Sequence, residues 1–234
     1  LEAVAAFPDQ LTVRNAISGG KLGVLGLGQV FARRYGAPYL TIHRADLHSV
    51  LLNAAGRHDQ ISMNMDSALL GLEETMDGVA ANFANDQRVQ GALLVGADGG
   101  WSLTRKLIWN DGTPQPTGHL AYRALVKQSY LPDYLRSRQV TAWLGPKLHV
   151  VQYPVRGGEW LNVVAIVHGQ VKGDMSHWDH SANSRDIQSS LAETCSPLQD
   201  LVVAIPHWRL WPLSIRPPMH GPAEHARGRV ALLG

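Results

Sequence analysis

What the sequence lacks narrows its field before any motif is considered. Cys195 is its single cysteine, so no intramolecular disulfide can form, and a reducing compartment, the cytoplasm, is the natural expectation. Neither sign of charge dominates: 21 basic residues stand against 19 acidic ones, a net charge of +2. No basic block is present, so nucleic acid is not implied as a partner. The longest apolar runs, at 161–167 and 201–205, fall far short of a membrane span, so a membrane partner is not expected. The opening LEAVAAFPDQ has neither an initiator methionine nor the charged and apolar regions of a signal peptide, and VALLG stops inside a strand-like run, so both ends read as cuts. There is no GxSxG elbow, and no phosphate loop of the GxxxxGK[ST] kind, since Lys21 is followed by leucine. A GxGxxG loop is also missing: GVLGLG carries glycines at 23, 26 and 28, which is the spacing GxxGxG, with no strong crossover helix expected after it. His177-Trp-Asp-His180 offers two ligands of a metal set without a third nearby and reads as exposed polar loop.

What is present is the composition of a folded protein, 45% hydrophobic and 17% charged over 234 residues, enough for one large domain or two small ones. LTVRN and KLGVLGL read as strands joined at Ser18-Gly19-Gly20. The alternation of Tyr39–His43 predicts a strand running into a helix over RADLHSVLLNAA, where Leu47, Val50, Leu51 and Ala54 recur at helical spacing. Strands are predicted at ISMNM, near ALLGLEE, at GVAANFA and over RVQGALLVG, with a turn at Asn85-Asp86. SLTRKLI predicts a helix, and the breakers of NDGTPQPTG mark a crossing between domains. Further strands follow at GHLAYRALV, QVTAWLG, KLHVVQYPV and WLNVVAIV, the last two turning at Arg156–Glu159. Residues 169–182 read as irregular, 185–194 as a helix, and Ser196 before Pro197 as the cap of another. WRLWPLSI reads as a late strand. Strands interleaved with a few helices, without a strict βαβ rhythm, make the fold class mixed α/β.

Four of these segments in series resemble the FAD-dependent aromatic-ring hydroxylases of the salicylate hydroxylase or 3-hydroxybenzoate 6-hydroxylase type. They are YLTIHRADLHSVLL, GADGGWSLTR, TGHLAYRALV with the strands after it, and WRLWPLSIRPPM with GRVALLG. The resemblance covers nearly the whole chain, as an internal portion lacking the N-terminal GxGxxG and the C-terminal end. It implies a partial FAD-binding domain plus a mixed-sheet substrate domain. On that basis 1–38 are substrate-domain strands and 39–109 the partial FAD-binding domain. Residues 110–217 are the substrate sheet, and 218–234 return to the FAD-binding domain.

The resemblance further implies FAD as cofactor, NAD(P)H as electron donor, O2 as co-substrate and a small aromatic acid as substrate. Oxygen would add at the flavin C4a as a hydroperoxide that a phenolate attacks. Self-association as a homodimer is compatible with it. Arg44, Gly96, Asp98, Gly99 and Arg105 are the cofactor-binding positions it implies. A solvated surface arginine is the plain alternative for Arg44, and helix capping that for Asp98. For the catalytic positions, His119 is the base or phenol partner, because imidazole titrates near neutrality. Tyr122 either joins it or is a core aromatic, since Leu120 and Tyr122 alternate to the strand face opposite His119, Ala121 and Arg123. Arg123 holds a substrate carboxylate or braces the domains. His149 and Gln152 read as sheet residues. The competing functional readings are a non-catalytic flavoprotein-fold chain without bound cofactor, and a flavoprotein oxidoreductase acting on a non-aromatic substrate.

Overall fold

The structure, a computed structural model, describes residues 1–169, 180–182 and 184–234. In chain order the elements are β1 (Gln10–Asn15), β2 (Lys21–Gly26), α1 (Gln29–Tyr35), α2 (Arg44–Ala55), β3 (Leu69–Glu74), β4 (Val79–Phe83), β5 (Arg88–Gly91), β6 (Leu94–Gly96), α3 (Leu103–Trp109), β7 (Gln115–Lys127), β8 (Val140–Gly145), β9 (Leu148–Val155), β10 (Trp160–His168), β11 (His180–Ala182), α4 (Ser184–Ser190), α5 (Ser196–Ala204), β12 (Trp208–Ile215), β13 (Ala226–Arg227) and β14 (Val230–Leu232). The class is mixed α/β, as the element pattern predicts. Two compact units divide the chain, one formed by 1–58 with 118–213 and the other by 59–117 with 214–234. Residues 39–58 thus pack with the large sheet, whereas the sequence grouped them with 59–109.

The first unit is built on an eight-stranded sheet in the order β11-β12-β7-β10-β9-β8-β1-β2. β1 runs parallel to β8, while β10 lies antiparallel between β7 and β9. Alternation decides which face is covered. Leu161, Val163, Ala165 and Val167 of β10 and Leu120, Tyr122, Ala124 and Val126 of β7 are all buried on one side. Ile187 of α4 and Leu198, Leu201 and Val202 of α5 close over them. Full burial of each leucine, isoleucine or valine among them contributes about 1.5–3 kcal/mol, so this is where the unit's stability sits. The first residue of α5 is Ser196 itself, and its cap is Cys195, which makes no side-chain cap bond, so the capping expected of Ser196 is corrected.

Other local expectations are also corrected. Tyr39–His43 forms no strand, only a single bridge between Thr41 and Ala6, because the chain turns into α2 at once. Residues 61–65 are exposed and without a ladder. The run over 88–96 breaks at Ala92-Leu93, and its halves β5 and β6 join different sheets. A helix, α1, does follow GVLGLG, but it has only seven residues and buries none of them. His180 belongs to β11, and residues 177–179 of the histidine-containing stretch lie outside the described residues.

In the second unit β3, β4 and β5 form an antiparallel sheet, and β14 runs parallel to β6 in a second sheet of order β13-β14-β6. Val79, Ile108 and Val230 make its small core, flanked by Leu72, Leu94, Trp109 and Leu232. Among the described residues no helix is long and apolar enough to cross a membrane.

Candidate cofactor and substrate sites

In the second unit, the Gly96–Ser102 turn links β6 to α3, and hydrogen bonding within the turn explains its shape. Gly96 must be glycine, since a Cβ there would come within 2.6 Å of the Thr104 side chain. Gly99 has φ +76, a backbone that favours glycine. Asp98 takes the capping role: its Oδ1 accepts from the Ser102 hydroxyl at 2.5 Å, and its Oδ2 from the Thr104 amide at 2.9 Å and hydroxyl at 3.0 Å. Ser102 in turn caps α3 by accepting from the Arg105 amide at 2.9 Å. Burial opposes ionisation of Asp98, but these donors outweigh it and hold its carboxyl below the usual range.

Arg105 is committed within the unit, with Nε 2.6 Å from Asp111 Oδ2 and Nη2 2.9 Å from the Pro217 carbonyl. Arg216, not anticipated from sequence, donates to the Gly100 carbonyl at 2.8 Å and to Asp111 Oδ1 at 2.9 Å. Asp111 is partly buried, which disfavours its charge, but the two guanidiniums prevail and lower its pKa. Gly96, Asp98, Gly99 and Arg105 therefore form one constellation. Above the turn, a Cβ built at Gly99 or Gly100 would meet no atom within 4 Å, leaving space for close approach by a ligand.

Arg44 lies in the first unit, where it opens α2. It is exposed and, among the described residues, has no hydrogen-bonding or ionic partner. Beside it, His43 Nδ1 is buried and unpartnered. An exposed guanidinium at a helix start fits an anionic group with acceptor atoms.

The face of the first unit's sheet opposite α4 and α5 carries the remaining residues. Strand register sets rows across β7, β10 and β9: His119 opposite His168; Ala121, Ile166 and His149; Arg123, Val164 and Val151; Leu125, Asn162 and Tyr153. The His119 and His168 rings meet edge to face at 4.3 Å. Arg123 lays its guanidinium over Trp211 of β12, 4.7 Å from the ring centroid. Burial raises the Tyr153 hydroxyl's pKa, with Arg123 opposing and Tyr39 adding, so the phenol stays neutral near pH 7. Tyr122 points the other way and is 4% exposed within the core. Of its two readings the core aromatic holds, because the pleat puts Tyr122 and His119 on opposite faces, and a catalytic place for Tyr122 beside His119 is corrected. Gln152 also faces the core, accepting from Trp143 Nε1 at 3.4 Å. An apolar floor edged by imidazoles, a phenol and a stacked guanidinium suits a flat, anionic, hydroxylated molecule.

Fold and motifs together define a flavoprotein-type α/β chain, and comparison with known proteins makes this specific. The chain belongs to the FAD binding domain family, whose pattern matches residues 28–202. The 3-hydroxybenzoate 6-hydroxylase of Polaromonas naphthalenivorans (strain CJ2) is 31% identical over 231 residues, covering 98% of this chain and 56% of that protein. Klebsiella pneumoniae HpxO, solved in complex with FAD and uric acid, superposes with a TM-score of 0.80 at 25% identity, over 100% of this chain and 57% of that one. A salicylate hydroxylase substrate complex gives a TM-score of 0.80 at 24% identity, over 99% of this chain and 59% of that one, and so supports the fold. The chain spans just over half the length of the curated relatives it matches first.

Proposed function

We propose that the protein is an FAD-dependent monooxygenase that hydroxylates a phenolic aromatic acid, drawing electrons from NAD(P)H and oxygen from O2. One oxygen atom enters the ring and the other leaves as water, with NAD(P)H supplying two electrons and the ring C–H giving up its proton. FAD, when bound, supplies the electron transfer and oxygen activation that no side chain can. The observation that carries the reading is the set of His119, Arg123 and Tyr153 on one face of the sheet, together with the 3-hydroxybenzoate 6-hydroxylase relative.

On that face the half-buried Val151, Val164 and Ile166 take the ring and keep water from it. Arg123, pre-set against Trp211, holds the carboxylate. His119 accepts the phenol proton, which raises the electron density of the ring at the carbon to be attacked. Arg44 of the first unit serves the diphosphate of FAD; within the second unit, Asp98 and Arg105 shape the turn at Gly99-Gly100.

Purified full-length protein tests this directly. Flavin absorbance, with NAD(P)H oxidation stimulated by 3-hydroxybenzoate or salicylate and a hydroxylated product, is the expected result. Colourless protein that ignores added FAD favours a non-catalytic flavoprotein fold and sinks the proposal. Flavin present with no response to any phenolic acid would assign a non-aromatic substrate.

A further inference from the structure

The turn between β9 and β10 holds a residue in an unusual backbone state. Arg156 has φ +53, a left-handed conformation that side chains other than glycine rarely adopt. Its guanidinium reaches Asp46 in α2 as a two-pronged pair, Nε to Oδ2 at 2.7 Å and Nη2 to Oδ1 at 2.8 Å. The hydrogen bond from Arg156 is the main reason the Asp46 carboxyl sits below its usual pKa. The same hairpin end holds the segment before α2 at further points. The Thr41 hydroxyl donates to the Pro154 carbonyl at 2.5 Å, and the Gly157 amide donates to the Ala5 carbonyl at 3.1 Å. Ala6, next along, bridges Thr41.

α2 has no buried residue. Packing therefore cannot fix where its first turn points, and polar tethers must. Asp46 lies two residues after Arg44, on the same first turn, so the fork that holds Asp46 also sets where the Arg44 side chain starts.

We infer that Arg156 and Asp46 are a positioning pair: they register Arg44, and the dinucleotide diphosphate it meets, to the sheet face that carries Arg123 and Tyr153. This rests on the FAD reading above. Neither Arg156 nor Asp46 touches the cofactor in this account, and both act through Arg44. The strained backbone fits the role, because the turn holds its arginine in a conformation that a residue without a task would relax.

The test uses full-length protein and reads FAD dissociation constants by flavin fluorescence, with the thermal midpoint of the FAD-free protein measured alongside. Arg156→Gly keeps the turn at no steric cost while removing the fork. It is expected to weaken FAD binding about tenfold, within the usual range for energetic coupling between sites. Arg156→Lys keeps the charge without the fork and should fall between. In an Arg44→Ala background, Arg156→Gly should cost nothing further, since its route to the cofactor is already gone. The exchange Asp46→Arg with Arg156→Asp should recover part of the loss. Variants that lower the thermal midpoint but bind FAD like the parent, or an undiminished Arg156→Gly effect in the Arg44→Ala background, overturn the inference alone. Parent protein that takes up no FAD removes the cofactor reading and the inference with it.

Discussion

Arg216 Nη1 lies 2.9 Å from Oδ1 of Asp111, while the other oxygen of that carboxylate accepts from Arg105 Nε at 2.6 Å. One carboxylate thus separates two guanidiniums that would otherwise repel, and Arg216 extends from it to the Gly100 carbonyl. Asp111→Asn leaves both cations facing a neutral amide. We expect a loss of about 2 kcal/mol in urea unfolding, the scale of hydrogen bonds to charged groups.

The same pair sets an acid sensitivity. The folded pKa of Asp111 is lowered, so its stabilisation is complete above the unfolded carboxylate value of about 3.9 and fades as pH falls through the lower folded value. Asp98 has the same sign. Unfolding monitored between pH 7 and pH 2 should show stability declining only in the acid limb, with Asp111→Asn flattening it. A decline of equal size in the variant would assign the acid sensitivity to other groups.

Gly96 and Gly100 make a matched pair of tests. An alanine at 96 would drive its Cβ into Thr104, a residue only 2% exposed that also donates to Asp98. Overpacking of this kind costs about 1–3 kcal/mol. An alanine at 100 meets nothing within 4 Å. Gly96→Ala should therefore lower the melting temperature by several degrees and Gly100→Ala should leave it nearly unchanged, while Gly100→Ala weakens FAD uptake if a ligand packs on that turn.

Tyr122 and Arg123 are neighbours in sequence with opposite expected outcomes. Tyr122→Phe keeps the core ring and should leave hydroxylation kinetics as they are. Arg123→Ala should raise KM for the aromatic acid about tenfold or more, the equivalent of one charge-assisted bond. Arg123→Lys should recover only part, because an ammonium neither forks nor stacks as a guanidinium does. Steady-state assays at saturating NAD(P)H decide it, and a kcat loss in Tyr122→Phe would return that hydroxyl to the reaction.

What the sequence made legible was local. The period-2 runs of β7, β9 and β10 and the helical spacing of α2 could be read directly, as could the glycines of the Gly96–Ser102 turn. The opposite facing of Tyr122 and His119 also followed from the pleat alone. Arg216 and Asp111 were not legible, because their partnership joins distant segments and neither residue type is distinctive. His168 and Tyr153 could be placed opposite the β7 residues only once β10 was known to pair with both β7 and β9. The break at Ala92-Leu93 leaves no mark in the sequence, because an apolar run looks the same whether it serves one sheet or two.

β6 is an outer strand of its sheet, paired with β14 on one flank, and Leu93 and Val95 are 72% and 59% exposed. Among the described residues no strand pairs with its other flank, and an unpaired flank with apolar side chains is a template for extended backbone. At high concentration light scattering should report self-association through this flank, and Val95→Lys should reduce it.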